Sequence, residues 1–187
     1  MSTAQSIDGE AVTTKLAMRM EDSMQAFAVR AACFIGELDV PFSEEFDGHD
    51  FGATHVLAYV GEEPVGTVRM RWFQSFAMPE RLAVIQRYRG RNIGALLLER
   101  CRALAASRGC NTLYAQALPA DVKYWEKQGW RRLVAEEGAA GDKRIVAMVK
   151  AVDPSKPLPE LETPEAVVLH REPQLDASGM PRGTASN

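Results

Sequence analysis

The chain has 187 residues, 46% of them apolar and 25% charged, with a formal net charge of −3; that length fits one domain of ~100–200 residues plus a tail, and the composition excludes wholesale disorder and a collagen-like chain. No apolar run approaches the ~18 residues that span a bilayer, and the start, Met1-Ser2-Thr3-Ala4-Gln5-Ser6, lacks the basic and apolar regions of a signal peptide. Cys33, Cys101 and Cys110 are odd in number and lack metal-ligand spacing, so the expectation is a soluble, cytoplasmic protein with reduced thiols, no metal site and no membrane partner.

In chain order, Thr13 to Met20 alternates in character and reads as a strand. Glu21-Asp22-Ser23 can then cap a helix through Phe27, Ala31 and Phe34 to about Leu38. A loop with Pro41, Asp47, Gly48 and Asp50 follows. Two strand-like runs, Thr54 to Val60 and Val65 to Phe73, flank Gly61-Glu62-Glu63-Pro64 as a hairpin turn, and a further strand is expected near Arg81 to Gln86. After Gly90, Ile93, Leu97, Cys101 and Leu104 recur at helical spacing up to Gly109. Thr112 to Ala117 reads as a strand and Ala120 to Gln128 as a helix stopped by Gly129. Arg131 to Ala135 and Arg144 to Lys150 would close an antiparallel pair across Glu136 to Gly141. The order β-α-β-β-β-α-β-α-β-β predicts an α/β fold with a mixed sheet covered by helices.

From Ala151 onward the chain holds six acids, three bases and six of its ten prolines, leaving 19 acids and 19 bases before that point. A domain spanning 1–150 and a Pro-rich acidic tail spanning 151–187, partly disordered, are therefore expected. Ala166-Val167-Val168-Leu169 can pair as an extra strand, and the tail reads either as a docking segment or as a solvated terminus.

The chemistry concentrates in Val84-Ile85-Gln86-Arg87-Tyr88-Arg89-Gly90-Arg91-Asn92-Ile93-Gly94, where a strand enters a helix through basic and glycine-rich turn residues. Unpaired N–H groups and the positive end of the helix dipole make such a turn an anion cradle, and a pyrophosphate would fit it. Gly90 and Gly94 let a ligand approach the backbone. Arg87, Arg89 and Arg91 can contact phosphate oxygens, and Asn92 tolerates the positive φ that a second glycine would supply. The alternative is a connector with solvated arginines.

Arg87, Gly90 and Asn92 stand at the positions of motif A of the GCN5-related N-acetyltransferase (GNAT) superfamily, which the segment resembles; Asn92 departs from the usual Gly or Ala. Asp121-Val122-Lys123-Tyr124-Trp125-Glu126-Lys127-Gln128-Gly129-Trp130 resembles motif B, in the expected order and spacing. The resemblance covers roughly Thr13 to Lys150. It implies a GNAT acyl-CoA N-acyltransferase fold with a mixed, mostly antiparallel sheet splayed between its fourth and fifth strands. It further implies acetyl-CoA or CoA across that gap, with the pyrophosphate on Arg89 to Gly94. Ala83, Val84 and Ile85 would pair with the pantetheine arm, with an N–H near Val84 as oxyanion donor. Gln116, at the end of the fifth predicted strand, can bond a pantetheine amide or be satisfied by backbone.

In much of that family a tyrosine four residues before the motif B glycine protonates the thiolate, but Trp125 stands there; the adjacent Tyr124 is the candidate acid, although neighbouring helix positions differ by about 100°. For the base, the loop Phe42 to Asp50 and His55 concentrate acids and histidines, making Glu45, Asp47 and His55 candidates and Asp50 a candidate ligand for an ammonium substrate. Turn and cap chemistry explains the same residues. Arg69 and Arg71 share a strand face, where they can bind a substrate carboxylate or pair with the Asp47 loop. Trp72, Phe73, Phe76, Trp125 and Trp130 are core or acceptor-pocket aromatics.

Arg30 to Phe34, Glu45 to Asp50, His55, Gly66 to Arg69 and Tyr114-Ala115-Gln116 are similar to the ElaA-like branch of the superfamily, with Arg30 then a substrate-side residue. Within that set Arg30 and Phe34, Glu45 with Asp47 and Asp50, and Arg69 also resemble acyl-homoserine-lactone synthases, which acylate the amine of S-adenosylmethionine. The expected function is direct acetyl transfer from acetyl-CoA to the amine of a small molecule or amino-acid-like acceptor, in a protein that can form a homodimer. A non-catalytic acyl-CoA sensor is the alternative from another class. No nucleic-acid partner is expected, because a phosphate ligand explains the basic turn and the folded part is neutral.

Overall fold

The computed structural model describes residues 6–7, 9–133, 145–156 and 158. Its elements are β1 (Ser6–Ile7), β2 (Glu10–Leu16), α1 (Met20–Arg30, continued by a π turn at Ala31–Ile35), α2 (Phe42–Glu45), β3 (Thr54–Val60), β4 (Glu63–Trp72), β5 (Ala77–Val84), α3 (Ile93–Ser107), β6 (Thr112–Ala117), α4 (Val122–Lys127), β7 (Arg131–Arg132) and β8 (Val146–Ala151). They form an eight-stranded sheet in the order β1-β2-β3-β4-β5-β6-β8-β7, antiparallel except at β5–β6. This is the mixed, mostly antiparallel architecture the sequence predicts. The turn over 136–141 and the apolar stretch 166–169 lie outside the described residues.

Side-chain alternation along the strands feeds two layers. On one face Val56, Val68, Met70, Leu113 and Met148 pack with Ile93, Leu97, Cys101 and Ala105 of α3. On the other, Ala83 of β5 packs against Val29 and Cys33 from α1 and its π turn. The buried positions of α3 recur every three to four residues. The helix ends where Gly109 takes φ 72° and the Cys110 N–H reaches the Ala105 carbonyl at 2.9 Å. Burial within this core pushes the Cys101 thiol up to about 12, which leaves it unreactive.

Two strands depart most from expectation. β2 begins three residues early and stops at Leu16, because the Asp22 carboxylate accepts the N–H groups of Met18 (3.2 Å) and Arg19 (3.3 Å) and draws that stretch into the start of α1. β5 lies at Ala77–Val84 rather than Arg81–Gln86. Its pairing with β4 runs Arg69↔Glu80 and then Thr67↔Ala83, so β5 carries one extra residue there, and Arg81 takes φ 51°. The break in alternation hides the strand from a periodicity reading. Ordered contacts also run past Lys150, since the Val152 N–H bonds the Asn111 carbonyl at 2.8 Å and the Asp153 N–H bonds the Asn111 side chain at 2.9 Å.

Candidate active site

β5 and β6 run parallel but pair at one position, Ala77↔Leu113. Beyond it the strands diverge and open a cleft of about 950 Å³ between β5, the start of α3, β6 and α4. One backbone edge of β5 therefore faces the cleft. The Ile85 N–H goes to the Val65 carbonyl on β4 (2.9 Å), and strand alternation turns the Val84 amide the other way, toward the cleft. The Val84 carbonyl accepts from Arg89 Nε at 2.8 Å. Of the three strand residues expected to meet a pantetheine arm, Val84 lines the cleft, Ala83 is buried against α1, and Ile85 has its amide engaged by β4.

A 3-10 turn at Gln86–Tyr88 and two left-handed residues, Gly90 (φ 76°) and Asn92 (φ 58°), swing the chain from β5 into α3. Asn92 fits because its short polar side chain tolerates that region. The first bond of α3 is Leu96 N–H to the Asn92 carbonyl (3.0 Å), so the amides of Ile93, Gly94 and Ala95 have no intrahelical partner. A Cβ built on Gly90 meets nothing within 4 Å, so the turn opens onto free space. Gly90, Asn92, Ile93, Gly94 and Arg89 line the cleft. The arginines are less available than the sequence suggests. Arg87 pairs with Glu63 and does not line the cleft, Arg89 pairs with Glu37 at 2.5 Å, and Arg91 lies 6.0 Å from the Tyr88 ring. The Arg87 and Arg89 pairs are exposed and screened by solvent, so an incoming phosphate can displace them.

On the far wall, Tyr124 and Trp125 take separate roles, as their angular offset on α4 dictates. Trp125 is 8% exposed and packs edge-to-face on Trp130 with centroids 4.9 Å apart, so it walls the cleft as part of the core. Tyr124 is 37% exposed and lines the cleft, with its hydroxyl against the first turn of α3: a Cβ on Gly94 would sit 2.5 Å from Tyr124 Oη. Partial burial raises the Tyr124 pKa above its ordinary value, so the hydroxyl is protonated at neutral pH. Gln116 is exposed at the cleft end of β6. The other four aromatics lie outside the cleft lining; Phe76 packs on Tyr114, and Trp72 Nε1 donates to Thr54 (3.0 Å).

The acids and arginines of the α2 loop meet one another. Arg30 and Arg69 side chains and the Glu45 side chain are 0% exposed. Arg30 holds Glu45 (2.5 Å) and its carbonyl (2.8 Å), and also pairs with Asp50. Arg69 grips Asp47 at 2.7 and 2.6 Å, Asp50 at 3.1 Å and Glu80 at 2.8 Å. Arg81 bonds the Glu44 carbonyl (2.6 Å) and lies 3.1 Å from Glu45 Oε2. Of the two roles open to Arg69, the structure shows the pair with the Asp47 loop. Among the candidate base and substrate residues on these elements, only Glu45 lines the cleft; Asp47, Asp50, His55, Arg30 and Arg69 do not. Sequence reasoning missed Glu80, Arg81 and the apolar wall of Phe34, Leu38 and Val40.

The cluster sets a pH dependence. Burial pushes the His55 pKa below its ordinary value, against the smaller effect of the Asp50 carbonyl 3.2 Å away. Burial would raise Asp47 and Asp50, but the hydrogen bonds and positive charges of the surrounding arginines, Arg69 and Arg30 foremost, together outweigh it and hold both below the usual carboxylate range. Below about pH 6.5 the unfolded chain binds a proton that folded His55 resists, and below about pH 4 it binds protons that folded Asp47 and Asp50 resist. Melting temperature should therefore be level near neutrality, decline below about pH 6.5 and fall more steeply below about pH 4. In a calorimetric pH series, His55→Asn should flatten the first decline; a wild-type profile level from neutrality to about pH 5 would contradict a buried neutral His55.

The splayed parallel pair, the amide-lined turn before α3 and the tyrosine facing it define an acyl-CoA acyltransferase fold. The acetyltransferase (GNAT) family model matches residues 22–130, more than half of the chain, and the chain belongs to that family. GNAT enzymes use acetyl-CoA as cosubstrate, and this chain is accordingly an acyltransferase. YjcF of Bacillus subtilis (strain 168), described as an uncharacterized N-acetyltransferase, is 30% identical over 122 residues, covering 65% of this chain and 87% of its own. Escherichia coli ElaA superposes with a TM-score of 0.63 at 17% identity, covering 74% of this chain and 99% of ElaA. An aminoglycoside 6'-N-acetyltransferase solved with coenzyme A superposes with a TM-score of 0.61 at 17% identity, covering 78% of this chain and 99% of that one.

Proposed function

We propose that the chain transfers an acetyl group from acetyl-CoA directly to the amine of a small molecule. The observation that carries this reading is the convergence in one cleft of the open β5 edge, the free amides of α3 and the Tyr124 hydroxyl. The amides of Ile93, Gly94 and Ala95, with Gly90 giving close approach, bind the pyrophosphate; Arg89 and Arg91 supplement them by exchanging intramolecular contacts for phosphate oxygens. Gln116 bonds a pantetheine amide across the cleft. Acetyl-CoA supplies an activated thioester. The Val84 N–H polarises its carbonyl while the amine forms the C–N bond, the C–S bond breaks, and Tyr124 gives its proton to the departing sulfur. The amine's proton leaves to a carboxylate or to water at the open side of the cleft. The buried ion-pair cluster serves as a truss: with Glu45, Asp47 and Asp50 engaged by arginines, it fixes the α2 loop and the β5 bulge rather than moving that proton.

Tyr124→Phe tests the assignment. It keeps the ring packing and removes only the hydroxyl that carries the proton, so kcat should fall by about 100-fold, the lower end of a general acid's contribution, with CoA affinity unchanged. A loss under about threefold would show that the thiolate leaves unaided.

A further inference from the structure

The β5–α2 side of the cleft presents apolar surface from Phe34, Leu38, Val40 and Met78, together with the carboxylates Glu44 and Glu80. Every arginine behind that wall is matched. Arg30, Arg69, Arg71 and Arg81 face Glu45, Asp47, Asp50 and Glu80. The Glu44 side chain has no ion pair among the described residues, so this wall carries excess negative charge. Glu80 gives one oxygen, Oε1, to Arg69; Oε2 has no hydrogen-bond partner among the described residues, and the side chain is 14% exposed. Among the described residues, the cation of the lining with no ion pair is Lys127, which belongs to α4 on the opposite, β6 side.

We propose that the acceptor is an ammonium-bearing molecule with an apolar body and no carboxylate next to the amine: an aryl-alkyl or alkyl amine rather than an amino acid. The inference rests on the acyl-CoA reading above and names the substrate class of that same cleft. A cation finds Glu80 and Glu44 together with an apolar surface for its carbon skeleton. An α-carboxylate would meet those two acids with no unmatched cation on that wall among the described residues, and the like-charge contact in a partly desolvated cleft opposes binding. The expectation that Arg69 holds a substrate carboxylate gives way for the same reason, since its guanidinium is already divided among Asp47, Asp50 and Glu80.

The test compares matched pairs in acetyl-CoA-dependent thiol release with the full-length protein: phenethylamine against phenylalanine, and tyramine against tyrosine, with phenylalanine amide as a carboxylate-free control. The amines and the amide should exceed the amino acids in kcat/KM by about 100-fold or more, the discrimination expected when a buried polar mismatch is imposed on one partner. Glu80→Gln should raise KM for phenethylamine about tenfold and leave the CoA dissociation constant unchanged, the tenfold corresponding to one lost charge-assisted contact. Glu44→Lys, at an exposed position where folding is not at stake, should shift the preference toward phenylalanine. Equal or better use of the amino acids, an unchanged KM in Glu80→Gln, or turnover of neither member of any pair by protein that binds CoA would overturn the proposal and leave the acyl-CoA site standing. Failure to bind CoA would remove both.

Discussion

Gly90→Asp should abolish measurable CoA binding while the protein stays folded. Gly90 sits at φ 76° with no atom within 4 Å of a built Cβ, so an aspartate, which tolerates the left-handed region better than most residues, fits the turn at modest strain. Its carboxylate then occupies the space in front of the Ile93, Gly94 and Ala95 amides, repels a pyrophosphate and competes for the same donors. Losing two hydrogen bonds to a charged group, at about 1.5–3 kcal/mol each, predicts at least a roughly 100-fold weaker dissociation constant. Gly90→Ala separates the causes, because it carries the backbone strain without the charge and should lose far less. A folded Gly90→Asp variant with wild-type affinity would remove the turn from the CoA site.

Arg30→Met should cost about 3–5 kcal/mol of folding stability, a large share of the ~5–15 kcal/mol of a typical domain. The Arg30 side chain is fully buried, lies 5.7 and 5.4 Å from the Phe27 and Phe46 rings, and matches the buried Glu45 and the nearby Asp50. Methionine keeps most of the volume but leaves Glu45 with Arg81 alone, and the penalty comes chiefly from that uncompensated carboxylate. The Arg30→Met/Glu45→Leu double variant removes the stranded charge as well and should regain part of the loss. Urea unfolding measures both, and a single-variant loss below about 1 kcal/mol would contradict a truss that depends on Arg30.

The part of this molecule written in contiguous sequence was readable from it. β6 falls at Thr112–Ala117 as expected, α3 is stopped at Gly109 as expected, and the turn before α3 shows its chemistry because Gly90 and Asn92 are close together and each answers a local backbone demand, a left-handed φ. The acids of the α2 loop stood out by density, yet the partners of their carboxylates come from positions 15 (Arg30 to Glu45) to 36 (Arg81 to Glu45) residues away, and nothing local distinguishes a carboxylate in a buried pair from one awaiting a substrate. The β5 bulge escaped because one extra residue reverses the alternation on which strand reading depends, which also concealed Glu80 and Arg81. The facing of Tyr124 turned on the rotation of a six-residue helix, which is set by packing of Trp125 on Trp130.

The most direct measurement of the central claim is calorimetric titration of the purified protein with CoA and acetyl-CoA, followed in the same preparation by free-thiol release with and without amine. Saturable binding of both, with thiol release that depends on the amine and stoichiometric N-acetylated product, is the predicted result. Binding with release no faster than spontaneous hydrolysis across primary amines would contradict catalysis and make the cleft an acyl-CoA sensor, and absence of binding would contradict the site itself.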